Sequence, residues 1–309
     1  MRSGHPLDGP LGRPAPDHIS GVFVYWGERL AGGGPPEWDE RLTFLRQLGM
    51  DTLIVQFSVI EGVAFYRSHH LPTAVPDADP TAVMLTAADR AEFGVHLGLA
   101  SDEQHWWKIP YQPAELPDYV AREAERNNAI THELVELYGE HASLAGIYLS
   151  HEIHLGDEWS GENMPHLVRL FNAMSDEVKR LAPRQAVSTA PFFSLRGAIE
   201  EYEGRWREFL SQTRLDLLML QDGVGCKRHI TVDKMVPYYE ALARVCRENG
   251  VDLCSDLELF DLNDPAGATP ERIAAQLARA APYVSKVVAY SLANLTPELA
   301  ASLPGVRAG

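Results

Sequence analysis

The sequence predicts a single-domain α/β protein of the (β/α)8, or TIM, barrel class. Three observations carry that expectation. Eight short apolar runs recur along 309 residues, helical patterns separate them, and the segments after several runs are long where those before them are short.

The elements follow in order. A first strand is expected at Gly21–Gly27, then a helix at Glu37–Leu48, opened by Pro35-Pro36 and closed at Gly49. A second strand at Thr52–Ser58 precedes a helix running to Glu92, with Asp79 as its cap and Pro80 in its first turn. The third strand is Phe93–Ser101. In Asp118–Gly139, residues Val120, Ala124, Asn127, Thr131, Leu134 and Tyr138 recur at three- and four-residue steps, one face of a long helix. Strands at Ala145–Glu152, Ala186–Phe192, Leu215–Gln221, Val251–Glu258 and Lys286–Ser291 complete the eight. Helices at Asn163–Leu181, Glu200–Thr213, Val232–Asn249 and Pro270–Tyr283 lie between them, and Pro297–Leu303 closes the chain. Residues 1–20 read as an irregular arm and 21–309 as the barrel. A doubly wound sheet is the rival, but Gly32-Gly33-Gly34 lacks GxGxxG spacing and runs into Pro35.

Composition narrows the function classes. Apolar residues make up 45% and charged residues 23%, as in a globular enzyme. A net charge of −16 repels phosphate backbones and anionic membranes, so neither nucleic acid nor membrane is expected as a partner. No apolar run approaches the roughly 20 residues of a membrane helix, and the Pro- and Gly-rich start has no signal-peptide core. Cys226, Cys246 and Cys254 form no CxxC pair, so thiols of a cytoplasmic protein are expected, with buried packing as their ordinary role.

The chemistry is sought where strands end. Strand side chains alternate, so in the fourth run Ile147 and Leu149 face the helices while Tyr148, Ser150 and Glu152 face the interior. In the seventh, Leu253, Leu257 and Leu259 face outward while Cys254, Asp256 and Glu258 point in. Glu152 and Glu258 thus reach one mouth from opposite sides. Two carboxylates flanking one bond can split a glycoside: one donates a proton to the leaving oxygen, the other attacks the anomeric carbon or activates water. Against this, a rim glutamate often only caps a helix or pairs with arginine. Gln56, Asp102, Gln221 and Asp222 end other strands, and Asp222 is the reserve acid. Tyr25, Trp26, Trp106 and Phe192 offer flat faces to a sugar ring, although packing under loops is the commoner role of such residues. Trp106 and Trp107 are adjacent, so one of them at most faces the cleft.

His151-Glu152-Ile153-His154 is one residue short of HExxH and sits at a strand end, so the paired helical metal ligands are missing; neither metal nor cofactor is expected. His151 is instead expected to orient Glu152 or to bind a sugar hydroxyl. No GxSxG elbow or GxxxxGK[ST] loop occurs.

This layout resembles clan-A glycoside hydrolases, in which a strand-four glutamate is the acid/base and a strand-seven glutamate the nucleophile. The resemblance implies those roles for Glu152 and Glu258, with retention of configuration. It departs at His151, where those enzymes usually carry asparagine. The stretches Gly21–Gly27, Gly49–Gln56, Gly146–Ile153, Leu220–Gly225 and Asp256–Phe260 also resemble a little-characterised bacterial barrel family. Its distinctive Gln221–Gly225 segment holds two glycines that allow a sharp turn above the rim. The expected substrate is a small glycoside or oligosaccharide, held by Gln56, Tyr148, Gln221 and Asp222. A metal-assisted lyase or isomerase, and a non-catalytic carbohydrate-binding barrel, are the alternatives.

Overall fold

The computed structural model describes residues 15–303, except 228, 263, 265 and 266. All eight expected strands form, each ending somewhat earlier than its apolar run or with it. They are β1 (Gly21–Val24), β2 (Thr52–Val55), β5 (Gly94–Gly98), β6 (Leu144–Tyr148), β7 (Ala186–Thr189), β8 (Leu217–Gln221), β9 (Asp252–Glu258) and β10 (Lys286–Tyr290). A two-stranded hairpin of β3 (Val59–Ile60) and β4 (Val63–Ala64) lies between β2 and the next helix and was not foreseen; two-residue strands carry too little periodicity to read.

The eight strands pair in parallel and close in the order β1-β10-β9-β8-β7-β6-β5-β2. Parallel pairing demands crossovers, and the helices supply them. They are α1 (Glu28–Ala31), α2 (Pro35–Gln47), α3 (Pro80–Ala91), α4 (Glu103–Trp106), α5 (Leu116–Tyr138), α6 (Met164–Leu181), α7 (Ile199–Leu210), α8 (Val232–Asn249), α9 (Pro270–Ala280) and α10 (Pro297–Ala300). Asp79 caps α3 as expected, accepting the Ala82 N–H at 2.9 Å. On α5 the expected face is buried at Val120, Asn127, Thr131, Leu134 and Tyr138.

Closure divides the apolar residues into two cores. Ile147, Leu149, Leu253, Leu257 and Leu259 pack between strands and helices, as their outward parity requires. Phe23, Ile54, Tyr148, Ala190, Met219, Cys254 and Val288 fill the barrel interior. This inner plug is the floor on which the site rests.

Residues 1–14 of the expected arm and 304–309 of the barrel segment lie outside the described residues. Before β1, Ser20 is already in the sheet hydrogen-bonding: its N–H donates to the Val287 carbonyl and its carbonyl accepts from Asp51. No helix among the described residues is long and apolar enough to cross a membrane.

Candidate active site

The C-terminal mouth of the barrel holds a cavity of about 200 Å3, whose lining includes Glu152, Glu258, Asp256, Gln56, Gln221 and Tyr290. Phe23 and Tyr148 form its apolar base, their rings edge to face at 5.6 Å. Glu152 and Glu258 therefore share one pocket.

Glu152 follows β6 on an extended segment that is tied down by main-chain contacts. The Trp106 indole N–H donates to the Glu152 carbonyl at 2.6 Å. Thr189 Oγ1 donates to the carbonyls of Leu149 and His151 at 2.9 and 3.3 Å. With the backbone held, the carboxyl projects into the cavity. Burial raises it to about pKa 7, Glu103 adds repulsion, and a hydrogen bond from Gln221 opposes both.

Glu258 ends β9. Its Oε2 accepts the N–H groups of Gly225 at 2.6 Å and Cys226 at 2.8 Å. The segment after β8 turns as its glycines were expected to permit, with Gly223 at φ +71. Gly225 is required for a second reason: a Cβ there would collide with the Phe260 carbonyl. Arg272 of α9 donates to the Glu258 carbonyl at 3.0 Å and the Phe260 carbonyl at 2.6 Å, so the guanidinium fixes the strand end. Burial and then the Asp222 charge push the Glu258 carboxyl up to about pKa 8, against the two N–H donors and Arg272.

Asp256, one inward step below, is 2% exposed and its Oδ1 has no hydrogen-bond partner among the described residues. Burial and the charges of Glu258, Asp222 and Glu152 raise its pKa well above the ordinary aspartate value. Gln56 Oε1 accepts from the Tyr290 hydroxyl at 2.7 Å, and the Gln221 amide donates to the Ala190 carbonyl at 3.2 Å. Both amides line the pocket, Gln56 held across the mouth by Tyr290 of β10 and Gln221 by the residue that follows β7.

Several expectations are corrected. Trp26 is 2% exposed, stacked on Phe65 with ring centres at 5.8 Å and edge-on to Trp38, so it cannot stack on a sugar. Trp106 is 1% exposed and spends its indole N–H on Glu152. Its neighbour Trp107 is the exposed one. His151 is fully buried; its Nε2 lies 3.1 Å from Glu123 Oε2 and its ring meets Trp106 at 4.7 Å. Enclosed in this way it is out of reach of a ligand in the pocket, and it meets the Glu152 segment through Trp106, whose indole N–H holds the Glu152 carbonyl. His154 turns elsewhere, stacking on Phe192 at 4.6 Å, so the two histidines of that run never converge.

Asp222 is sealed under the pocket. It accepts from the Val224 N–H at 3.0 Å and from Gln276 at 2.5 Å, is fully buried, and does not line the cavity. The reserve acid is a structural group, and it holds no substrate hydroxyl either; burial raises its pKa to about 6.

Tyr25 and Asp102 fall in a neighbouring groove of about 610 Å3 with Phe57 and Glu103. There Tyr25 is 43% exposed, and Asp102 caps α4 by accepting from His105. Phe192 lines a third cavity on the opposite flank. Tyr290, Phe260 and Cys226 line the central pocket without having been singled out. Tyr290 was findable, since it shares inward parity with Val288 on β10. Cys226 was read as packing; Cys246 and Cys254 are buried, but Cys226 is only half-buried beside Glu258. Among the described residues, no three His, Cys, Asp or Glu side chains group as a metal site.

The barrel is shared with solved structures. A Bacteroides thetaiotaomicron protein described as a putative alpha-L-fucosidase is similar at TM-score 0.71 and 18% identity, over 94% of this chain and 91% of that one. The intracellular xylanase of Thermoanaerobacterium saccharolyticum gives 0.50 and 10%, over 89% and 86%. A family 39 glycoside hydrolase of Bacteroides cellulosilyticus gives 0.52 and 12%, over 90% and 56%. At such identities the likeness is one of fold alone, the TIM barrel. No curated protein matches the sequence. Residues 19–301 match the family model DUF4434, described as a domain of unknown function, and the chain belongs to that family.

Proposed function

We propose that the protein is a retaining glycoside hydrolase or transglycosidase, with Glu152 as acid/base and Glu258 as nucleophile. The observation that carries this reading is the meeting of the two carboxyls in one small pocket at the mouth of the barrel. That cavity is smaller than the roughly 300–1,000 Å3 of a drug-sized ligand site, which suits a single sugar ring.

In the first step the Glu152 O–H gives its proton to the glycosidic oxygen as the C1–O bond breaks, and a Glu258 oxygen bonds to C1. In the second, water attacks C1, Glu152 takes the water's proton, and the ester bond to Glu258 breaks. The raised Glu152 pKa of about 7 supports the acid role. Two N–H groups anchor Glu258 Oε2, which supports the nucleophile role by leaving the other oxygen for C1. Gln56, Gln221 and Tyr290 are suited to holding hydroxyl groups, and Tyr148 to bearing the ring from below.

The test is a panel of aryl glycosides assayed with wild type, Glu152→Gln and Glu258→Gln. Glu258→Gln is expected to lower kcat/KM at least about 1,000-fold on every substrate turned over. Glu152→Gln is expected to cost most on aglycones that need a proton and little on nitrophenolates. Full activity in both variants would eliminate the mechanism.

A further inference from the structure

Beside the central pocket lies a lateral cavity of about 500 Å3. Three strand-to-helix segments line both spaces. Each gives one residue to the pocket and, within two positions, another to the lateral cavity: Glu152 and His154, Ala190 and Phe192, Cys226 and Lys227. The two spaces are thus lined by nearby positions of the same three segments.

The chain carries −16, yet the lining of this cavity is balanced: Lys227, Arg196 and Arg205 stand with Asp157, Glu158 and Glu201. Its acids are partly spent: Asp157 pairs with Arg205 at 2.5 Å and Glu158 with His154 at 2.9 Å. Glu201 stands at the exposed outer edge, where solvent screens it. Lys227 has no carboxylate partner among the described residues; its ammonium sits 5.5 Å from the centre of the Phe192 ring. Arg196 is exposed and forms no ion pair among them. A half-buried lysine left without an anion in so acidic a protein is a waiting counter-charge.

We propose that the lateral cavity is a subsite for a sugar unit bearing an anionic group, with Lys227 as the charge that recognises it. The substrate class is then an acidic glycan, such as one containing a uronic acid. The assignment builds on the hydrolase reading for the placement of the scissile bond, while the subsite itself is testable without turnover.

The test is calorimetric binding of glucuronate, glucose and inorganic sulfate to wild type, Lys227→Gln, Lys227→Arg and Glu258→Gln. Glucuronate is expected to bind wild type and Glu258→Gln alike, more tightly than glucose does. Lys227→Gln should weaken glucuronate about tenfold, as loss of one charge-assisted contact implies, and Lys227→Arg should restore most of it. Equal binding of glucose and glucuronate, or no loss in Lys227→Gln, would overturn the proposal. So would sulfate binding as tight as glucuronate, which would make the site one for a free anion. Lys227-dependent glucuronate binding without turnover of any glycoside leaves the subsite and removes the hydrolase reading. Turnover of neutral glycosides with no glucuronate binding does the reverse.

Discussion

At the residue scale, four carboxyls crowd one end of the barrel: Glu152, Asp222, Asp256 and Glu258 each have a pKa raised above the ordinary value. Turnover requires Glu152 protonated and Glu258 ionised. Near neutrality the pair holds one proton between them, and only the form with that proton on Glu152 reacts. The optimum of kcat/KM is therefore expected between the values of about 7 and about 8, above the usual carboxylate range. Asp222 raises Glu258 by repulsion, and the higher of the two limbs belongs to Glu258, so Asp222→Asn should move the alkaline limb of the pH profile down by somewhat under about 1 unit. The substitution is accommodated because Gln276 Oε1 lacks a partner, so a flipped Gln276 amide accepts from the new amide. An unmoved alkaline limb would show that Asp222 does not set the Glu258 proton.

Asp256 gives a stability prediction with a definite sign. Its folded pKa lies above its unfolded value, so the folded state binds the proton more tightly. Its contribution is favourable below the unfolded pKa, and stability is lost as pH rises from there toward the folded value. Asp256→Asn should therefore raise Tm by about 2–4 °C at pH 8 and leave it nearly unchanged at pH 4. A calorimetric scan at the two pH values decides it; an equal shift at both would mean that proton linkage is not the cause. The parity of β6 and β9 was legible because strand side chains alternate, and both glutamates were found that way. The fates of Trp26, Trp106 and His151 were not. Each depends on a partner distant in sequence, such as Phe65 for Trp26 or Glu123 for His151, and a linear pattern does not report such a meeting.

At the element scale, the β8 segment after Gln221 is the device that aims Glu258. Gly225 passes under the Phe260 carbonyl and delivers two consecutive N–H groups to one carboxylate oxygen. Gly225→Ala pushes that backbone away. A drop in kcat of up to about 100–1,000-fold is expected, the loss that follows removal of one positioned donor, with circular dichroism unchanged. Unaltered kcat in a folded Gly225→Ala protein would show that these N–H groups do not matter to turnover. The glycines of this segment stood out in the sequence for their turn. Their donor role did not, because it depends on β9 lying alongside β8. Secondary structure itself was readable where periodicity was long, as on α5 and α8. Strand ends drifted by several residues, since the chain keeps an extended, apolar character for a few residues past the last ladder hydrogen bond.

At the scale of the whole molecule, the closed order of eight parallel strands brings residues 152 and 258, far apart in the chain, to one mouth. The eight-strand count and the outer apolar parity made this closure predictable. The division of the mouth into a central pocket and two flanking cavities was not, because loops of ten or so residues define it. That division explains why Tyr25, Asp102 and Phe192, all expected in one site, stand in different spaces.

The central claim is that Glu258 bonds to the sugar while Glu152 handles the proton. Azide rescue tests it most directly, using an aryl glycoside that the wild type turns over. With Glu258→Gly, azide enters the space of the lost carboxylate and attacks C1 itself, so the product is a glycosyl azide of inverted configuration. With Glu152→Gly, azide attacks the ester on Glu258, and the product keeps the configuration of the substrate. Retained azide from Glu258→Gly, or undiminished hydrolysis by both variants without azide, would contradict the account.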